Sequence, residues 1–140
     1  MMKRLNAIPK ARRRHLVEAA GYLMWARIML KCLPFPRLAA CFSRPVIESK
    51  MEISERELLC RQVSSAVERM AGLLPGKTVC FPRGIAVQAM LRRRGIGTTL
   101  YYGARDDGKL TAHVWVQDGD RGVIGLPENG EYAVVATFPC

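Results

Sequence analysis

The stretch VCFPRGIAVQAMLRRRGI, residues 79–96, places a single cysteine where a helix begins. Pro82 suits the first helical turn, where no amide donor is needed, and Gly95 suits the residue that ends a helix. A helix is therefore predicted from just after Cys80 to Arg94. Because the free amide groups and the positive dipole end at a helix start stabilise a thiolate, Cys80 is a candidate nucleophile.

Beyond this helix the sequence has the pattern of β-strands. Short apolar and β-branched runs, bounded by turn residues such as Asp118-Gly119, predict strands over residues 98–104, 110–117, 123–124 and 132–138. Because successive strands are joined by short turns, we expect an antiparallel meander.

Two further helices are predicted upstream. From about Ala11 to Lys31, apolar residues recur at steps of three and four. The stripe that they form consists of Leu16, Ala19, Ala20, Leu23, Met24 and Ile28. Ser54 and Glu57 have the spacing of a capping box, so a second helix is predicted to begin there and to end near Gly72.

Helices followed by antiparallel strands are typical of an α+β domain. At 140 residues, of which 49% are hydrophobic, the chain can bury one ordinary core. We expect residues 1–50 to be a helical extension that packs on a core formed by residues 51–140.

The second predicted strand carries a histidine that could act with Cys80. In the segment TAHVWVQ, residues 111–117, side chains alternate between two faces, so His113 shares a face with Trp115 and not with Val114. A histidine beside a helix-starting cysteine is the basic unit of a thiol hydrolase, because the imidazole takes the thiol proton and later protonates the leaving amine. The spacing alone does not show that the two residues meet, and a lone cysteine is more often a small buried hydrophobe.

These two segments, VCFPRGIAVQAMLRRRGI and AHVWV, together resemble the peptidase of lasso-peptide biosynthesis. That family is transglutaminase-like, with a papain-like core in which a catalytic cysteine opens the central helix and a catalytic histidine lies on the first strand of a following hairpin. The resemblance implies that Cys80 and His113 are the catalytic residues. It implies neither a metal nor a cofactor.

The resemblance also implies the substrate and partners. Such a peptidase removes the leader from a ribosomally made precursor, and an ATP-dependent cyclase then closes the lasso ring. Some members carry a winged-helix-like domain for leader recognition at the N-terminus. Here about fifty basic, helical residues precede the predicted capping box and are too few for it, so we expect the recognition protein to be a separate chain.

A third catalytic residue is not evident. Such peptidases usually orient the imidazole with an aspartate on the strand after the histidine, but the corresponding residues 122–125 read GVIG. The open alternatives are a backbone carbonyl or one of four side chains, Asp118, Asp120, Glu128 and Asn129. The backbone amide of Cys80 is the expected oxyanion donor.

The net charge of +10 and the pI near 9.9 predict an anionic partner. The charge is concentrated at residues 10–14 and 92–94, which can equally be solvated helix ends. One alternative function is a basic nucleic-acid-binding module, which would need exposed aromatics such as Tyr101 and Tyr102 interleaved with the arginines. Another is a transglutaminase-like scaffold that only binds or that transfers acyl groups.

The five cysteines are an odd set with no close pair, so neither a disulfide framework nor a metal knuckle is predicted. A reducing compartment fits this usage, and the resemblance implies the bacterial cytoplasm. Charged residues at helical intervals within the apolar stretch from Leu16 to Leu33 argue against an integral membrane segment, while docking of this helix on a membrane surface remains open. His15, in the same helix, is expected to be solvated.

Overall fold

A computed structural model describes residues 9–34, 37–38, 48–74, 80–106, 108–127 and 132–139, and for Cys80 it describes the backbone alone. The helices are α1 (Lys10–Cys32), α2 (Ile53–Leu73) and α3 (Cys80–Arg93). The strands are β1 (Thr99–Asp106), β2 (Leu110–Asp118), β3 (Arg121–Ile124) and β4 (Ala133–Pro139). The predicted α+β order is confirmed, and each of these elements lies within two residues of its predicted bounds.

The sheet has the strand order β3-β2-β1-β4, and neighbouring strands are antiparallel. The first three strands form the predicted meander. The fourth differs from a plain meander, because it pairs with β1 and not with β3. The eight-residue β1 can pair with the whole of the seven-residue β4, whereas the four-residue β3 would leave part of β4 without a ladder partner.

Helix α3 is the centre of the core, in contact with α1, α2 and the strands β1, β2 and β3. Its buried side chains include Ile85, Met90 and Leu91. It ends as predicted, because Gly95 follows with a φ of +75°, a conformation that glycine adopts without steric cost.

Helix α1 packs on α2 and α3 through Leu16, Ala19, Leu23 and Ala26. The predicted stripe was therefore only partly right, because Met24 and Ile28 are 42% and 56% exposed. These two residues lie on a second apolar face that the helix turns outward. The division of the chain at residue 50 stays a prediction.

The start of α2 corrects the predicted capping box. The N-cap residue is Glu52, no side chain caps the helix, and Ser54 lies inside the first turn. The Glu57 side chain instead forms an ion pair with Arg121 of β3. None of the helices in the described residues is long and apolar enough to cross a membrane.

Candidate active site

The start of α3 is held against the middle of β2 by a glycine. A Cβ atom added to Gly84 would lie 2.8 Å from Cγ1 of Val114, so only glycine permits this approach of helix to strand. Val114 is the residue after His113. The close contact therefore places the first turn of α3 beside the part of β2 that carries the histidine.

One cavity of about 460 Å³ is lined by both elements. Phe81, Arg83 and Gly84 line it from the first turns of α3, His113 from β2, and Gly125 from the chain that follows β3. The helix start and the imidazole, which the sequence linked only through their residue types, thus share one cavity.

The imidazole of His113 has a backbone partner. Its Nε2 atom lies 2.5 Å from the carbonyl oxygen of Gly125. A carbonyl oxygen only accepts hydrogen bonds, so Nε2 carries the proton and donates it. In the neutral ring Nδ1 then carries no proton and has a free lone pair. In this tautomer Nδ1 can accept a proton, as a general base must.

Aromatic rings fix the plane of the imidazole. The His113 ring is stacked on Trp115 at 6.1 Å and tilted against Tyr132 at 5.3 Å between centroids, and Trp115 is stacked on Tyr101. The predicted alternation of faces on β2 is confirmed, since Val114 and Val116 are buried in the core on the opposite face. Trp115 is 5% exposed, so its role here is packing.

Within the described part of the chain, the acidic side chains proposed as orienting groups do not contact His113. Asp118 lies five residues along β2, at about 3.3 Å per residue, and it accepts hydrogen bonds from Nε and Nη2 of Arg56 at 2.7 and 2.8 Å. Asp120 is exposed in the turn after β2. Glu128 and Asn129 lie outside the described residues. Of the alternatives that fall on described residues, the backbone carbonyl is the one in contact with the imidazole.

Comparison with known proteins identifies the scaffold. Residues 26–137 match the Transglutaminase-like superfamily. The chain belongs to this superfamily. Its members are often cysteine proteases or acyltransferases. No curated protein and no solved structure matches the chain.

In this transglutaminase-like chain Cys80 is the first residue of α3, one residue before the helix start that the sequence predicted. Its thiol lies outside the description, so its pairing with His113 stays a prediction. Two other cysteines are free thiols, the exposed Cys32 and the buried Cys60. Burial, and then the carboxylate of Asp118, raises the pKa of Cys60. Among the described residues, no cluster of His, Cys, Asp or Glu is arranged to hold a metal ion.

The arginines at the end of α3 differ from the solvated run that was one expectation. Arg94 donates to both oxygens of Glu18 in α1, at 3.0 and 2.6 Å, and Arg93 donates at 3.1 Å. Burial raises the pKa of Glu18, but these arginines outweigh it and the net pKa is lowered. The ion pairs join α1 to α3.

Two further expectations for this region are altered. Tyr101 stacks on Trp115 and Tyr102 packs near Phe81, so neither of these contacts interleaves an aromatic with the arginines as the nucleic-acid alternative required. His15 is half-buried and not fully solvated as expected, and burial, followed by the charge of Arg94, lowers its pKa.

Proposed function

We propose that this transglutaminase-like protein is a cysteine protease that removes the leader peptide from a lasso-peptide precursor, with Cys80 as nucleophile and His113 as general base. The observation that carries the proposal is the hydrogen bond from His113 to the carbonyl of Gly125, in a cavity that the first turn of α3 also lines. The resemblance of the segments at 79–96 and 112–116 to lasso-peptide peptidases supplies the substrate class.

In the first half of the reaction Nδ1 of His113 accepts the proton of the Cys80 thiol. The thiolate attacks the carbonyl carbon of the scissile amide, and the negative charge moves to the carbonyl oxygen. The backbone amide of Cys80 donates to that oxygen, as expected of a nucleophile at a helix start. The imidazolium then gives its Nδ1 proton to the leaving nitrogen, which departs as the new N-terminus of the core peptide.

In the second half the leader is held as a thioester. Nδ1 removes a proton from water, the hydroxide attacks the thioester carbonyl, and the cysteine sulfur departs and takes back the proton. Throughout the cycle Nε2 keeps its proton, which stays hydrogen-bonded to the carbonyl oxygen of Gly125. The carbonyl therefore does the positioning that a carboxylate does in other triads, but without a full negative charge.

The same proposal includes the partners. The substrate is a ribosomal precursor whose leader is bound by a separate recognition protein of the winged-helix type. An ATP-dependent cyclase then uses the core peptide in the bacterial cytoplasm. The cationic surface of the chain would attract an acidic leader or recognition protein, with pairs that are individually weak and sensitive to salt.

Iodoacetamide alkylation of each cysteine, resolved by peptide mass spectrometry, tests the thiol–imidazole pair without a substrate. Cys32 is the internal standard for an exposed thiol, and Cys60 is the standard for a buried one whose pKa is raised. Near pH 6 we expect Cys80 to react faster than Cys32, and to lose that advantage in His113→Ala. A Cys80 as slow as Cys60 in the folded wild type would contradict the pairing.

Release of the leader from a candidate precursor, in the presence of its recognition protein, tests the reaction itself. Mass spectrometry should detect leader and core peptide with wild type and neither product with Cys80→Ala. A reactive Cys80 that transfers the leader to an added amine, without hydrolysis, would favour the acyl-transfer alternative. Tight binding of the leader by this chain alone would contradict the separate recognition protein.

A further inference from the structure

Helix α1 has a second apolar face that its own fold leaves uncovered. Val17, Met24, Trp25 and Ile28 are 65%, 42%, 39% and 56% exposed. With the exposed Gly21 they recur at three- and four-residue steps, opposite the buried face of Leu16 and Leu23. An apolar ridge of this kind on an otherwise charged surface marks an interaction site.

Cationic side chains continue the same line at both ends of the ridge. Lys10 and Arg14 precede Val17 at helical steps, and Lys31 follows Ile28 three residues later. All three cations are exposed. At about 1.5 Å per residue, the line from the first cation to the last extends for about 30 Å. We call the line Lys10, Arg14, Val17, Gly21, Met24, Ile28 and Lys31, together with Trp25, the outer face of α1.

The grooves beside α1 have the same charge. The groove that α1 forms with α2 contains the exposed arginines Arg12, Arg61 and Arg69, and no acidic residue lines it within the described part of the chain. The groove that α1 forms with α3 contains Arg93 and one acidic residue, Glu18, whose carboxylate is already bound to arginines. An occupant of this surface must therefore supply negative charge around an apolar centre.

We propose that the outer face of α1 binds the surface of an anionic lipid bilayer. The helix would lie in the plane of the headgroups, with its ridge among the upper acyl chains and its cations on lipid phosphates. The cations occur at both ends of the ridge and in both neighbouring grooves, and a lipid surface offers phosphates at all of these places at once. This proposal does not depend on the proposed protease activity.

Sedimentation with vesicles tests the proposal on the full chain. Vesicles with about one third phosphatidylglycerol should carry down the wild type at about 0.1 M salt, and pure phosphatidylcholine vesicles should carry down much less. Lys10→Ser and Lys31→Ser should each weaken binding to the anionic vesicles by about fivefold. Acrylamide quenching should decrease on binding, because Trp25 is the more exposed of the two tryptophans.

A matched pair of double variants distinguishes binding through the apolar ridge from nonspecific binding through any exposed apolar residue. Val17→Glu with Ile28→Glu should lower vesicle binding by at least about tenfold. Val135→Glu with Leu110→Glu replaces apolar residues that are 62% and 78% exposed on the sheet, and it should bind like wild type. Circular dichroism and urea unfolding check that both double variants fold.

Either of two results would overturn the proposal. One is a wild type that stays in the supernatant at low salt. If that protein also forms a dimer that Val17→Glu disrupts, the outer face of α1 binds a second copy of the chain and not a bilayer. The other is equal loss of binding in both double variants, since the outer face of α1 would then have no special part.

Discussion

The two ends of β2 solve different problems with different chemistry. Near its start, His113 is bound by an uncharged backbone carbonyl, that of Gly125, and is packed between aromatic rings. At its last residue, Asp118 is bound by Arg56 of α2, which also donates to Glu48 at 2.6 Å. The carboxylate of this strand thus serves to join a helix to the sheet, whereas His113 contacts no carboxylate among the residues that the structure describes.

This difference in bonding predicts a difference in role, with stability depending on the Asp118 end and activity on the His113 end. The Arg56 and Asp118 side chains are 19% and 12% exposed, so their charges compensate each other where water is scarce. A neutral carbonyl fixes the tautomer of His113 without adding a buried charge to the cavity. We therefore expect substitutions at the His113 end to change activity and substitutions at the Asp118 end to change stability.

The largest effect expected is on catalysis by His113. His113→Ala should lower leader release by about 10²–10⁴-fold, the usual contribution of a general acid–base group, with little change in unfolding midpoint. Asp118→Asn should leave the rate of the folded protein close to wild type. Initial rates of leader release, measured by mass spectrometry for both variants, test this difference.

The remaining acidic and amide candidates provide the control for that comparison. Asp120→Asn, Glu128→Gln and Asn129→Ala should each retain activity, because the orienting acceptor is a backbone atom. If one of them is as damaging as His113→Ala, a side chain completes a true triad and the role assigned to the Gly125 carbonyl is wrong.

A smaller but still large effect is expected on stability at the other end. Arg56→Met leaves the partly buried carboxylate of Asp118 without its partner and should lower the free energy of unfolding by about 2–3 kcal/mol in urea. Adding Asp118→Asn removes the uncompensated charge and should recover about 1 kcal/mol. Strictly additive losses would show that the two side chains do not interact.

A mechanical effect should connect helix α3 to the His113 end. Gly84→Ala must displace either α3 or Val114, and we expect it to cost about 1–3 kcal/mol and to lower activity as well, because the helix start moves relative to the imidazole. Gly72→Ala is the matched control, since a Cβ there meets nothing within 4 Å and should stabilise α2 by about 0.5–1 kcal/mol. Full activity in a folded Gly84→Ala would show that this approach is not needed.

Local signals explain what could be predicted from the sequence. Pro82 and Gly95 delimit α3, and the alternation along residues 111–117 places His113 on the aromatic face, because both patterns depend on neighbours in the chain. The capping box is also a local signal, but here it failed because a long-range contact competed with it. Glu57 has an ion-pair partner in β3, and a contact between distant segments overrode the local preference of Ser54.

Long-range placement explains what could not be predicted. A backbone carbonyl has no residue type, so the partner of His113 could be named only as a class and not as Gly125. The exposed Met24 and Ile28 follow the same spacing as the buried Leu16 and Leu23, and the sequence of α1 does not say which face the core covers. For β4 to pair with β1, the chain has to pass from one edge of the sheet, at β3, to the other. Such a connection leaves no periodic pattern in the sequence.

The smallest effect expected is the response of the Asp118 end to acid. The hydrogen bond from Arg56 holds the pKa of Glu48 below its ordinary value of 4.5, despite slight burial. A lowered folded-state pKa gives stability that is present above the ordinary value and is lost as pH falls through the folded-state value. Since the Glu48 side chain is 54% exposed, the contribution at neutral pH should be at most about 1 kcal/mol.

Urea unfolding of wild type and Glu48→Gln, at about pH 7 and again at about pH 3, measures this contribution. The stability difference should be largest at the higher pH and should shrink as the pH falls, because Glu48 resembles the variant once it takes up its proton. High salt at neutral pH should reduce the difference as well, because the pair is largely exposed. A stability difference that is independent of both pH and salt would assign Glu48 a packing role. The only ion pair of Arg56 that contributes to stability at this end of β2 would then be the one with Asp118.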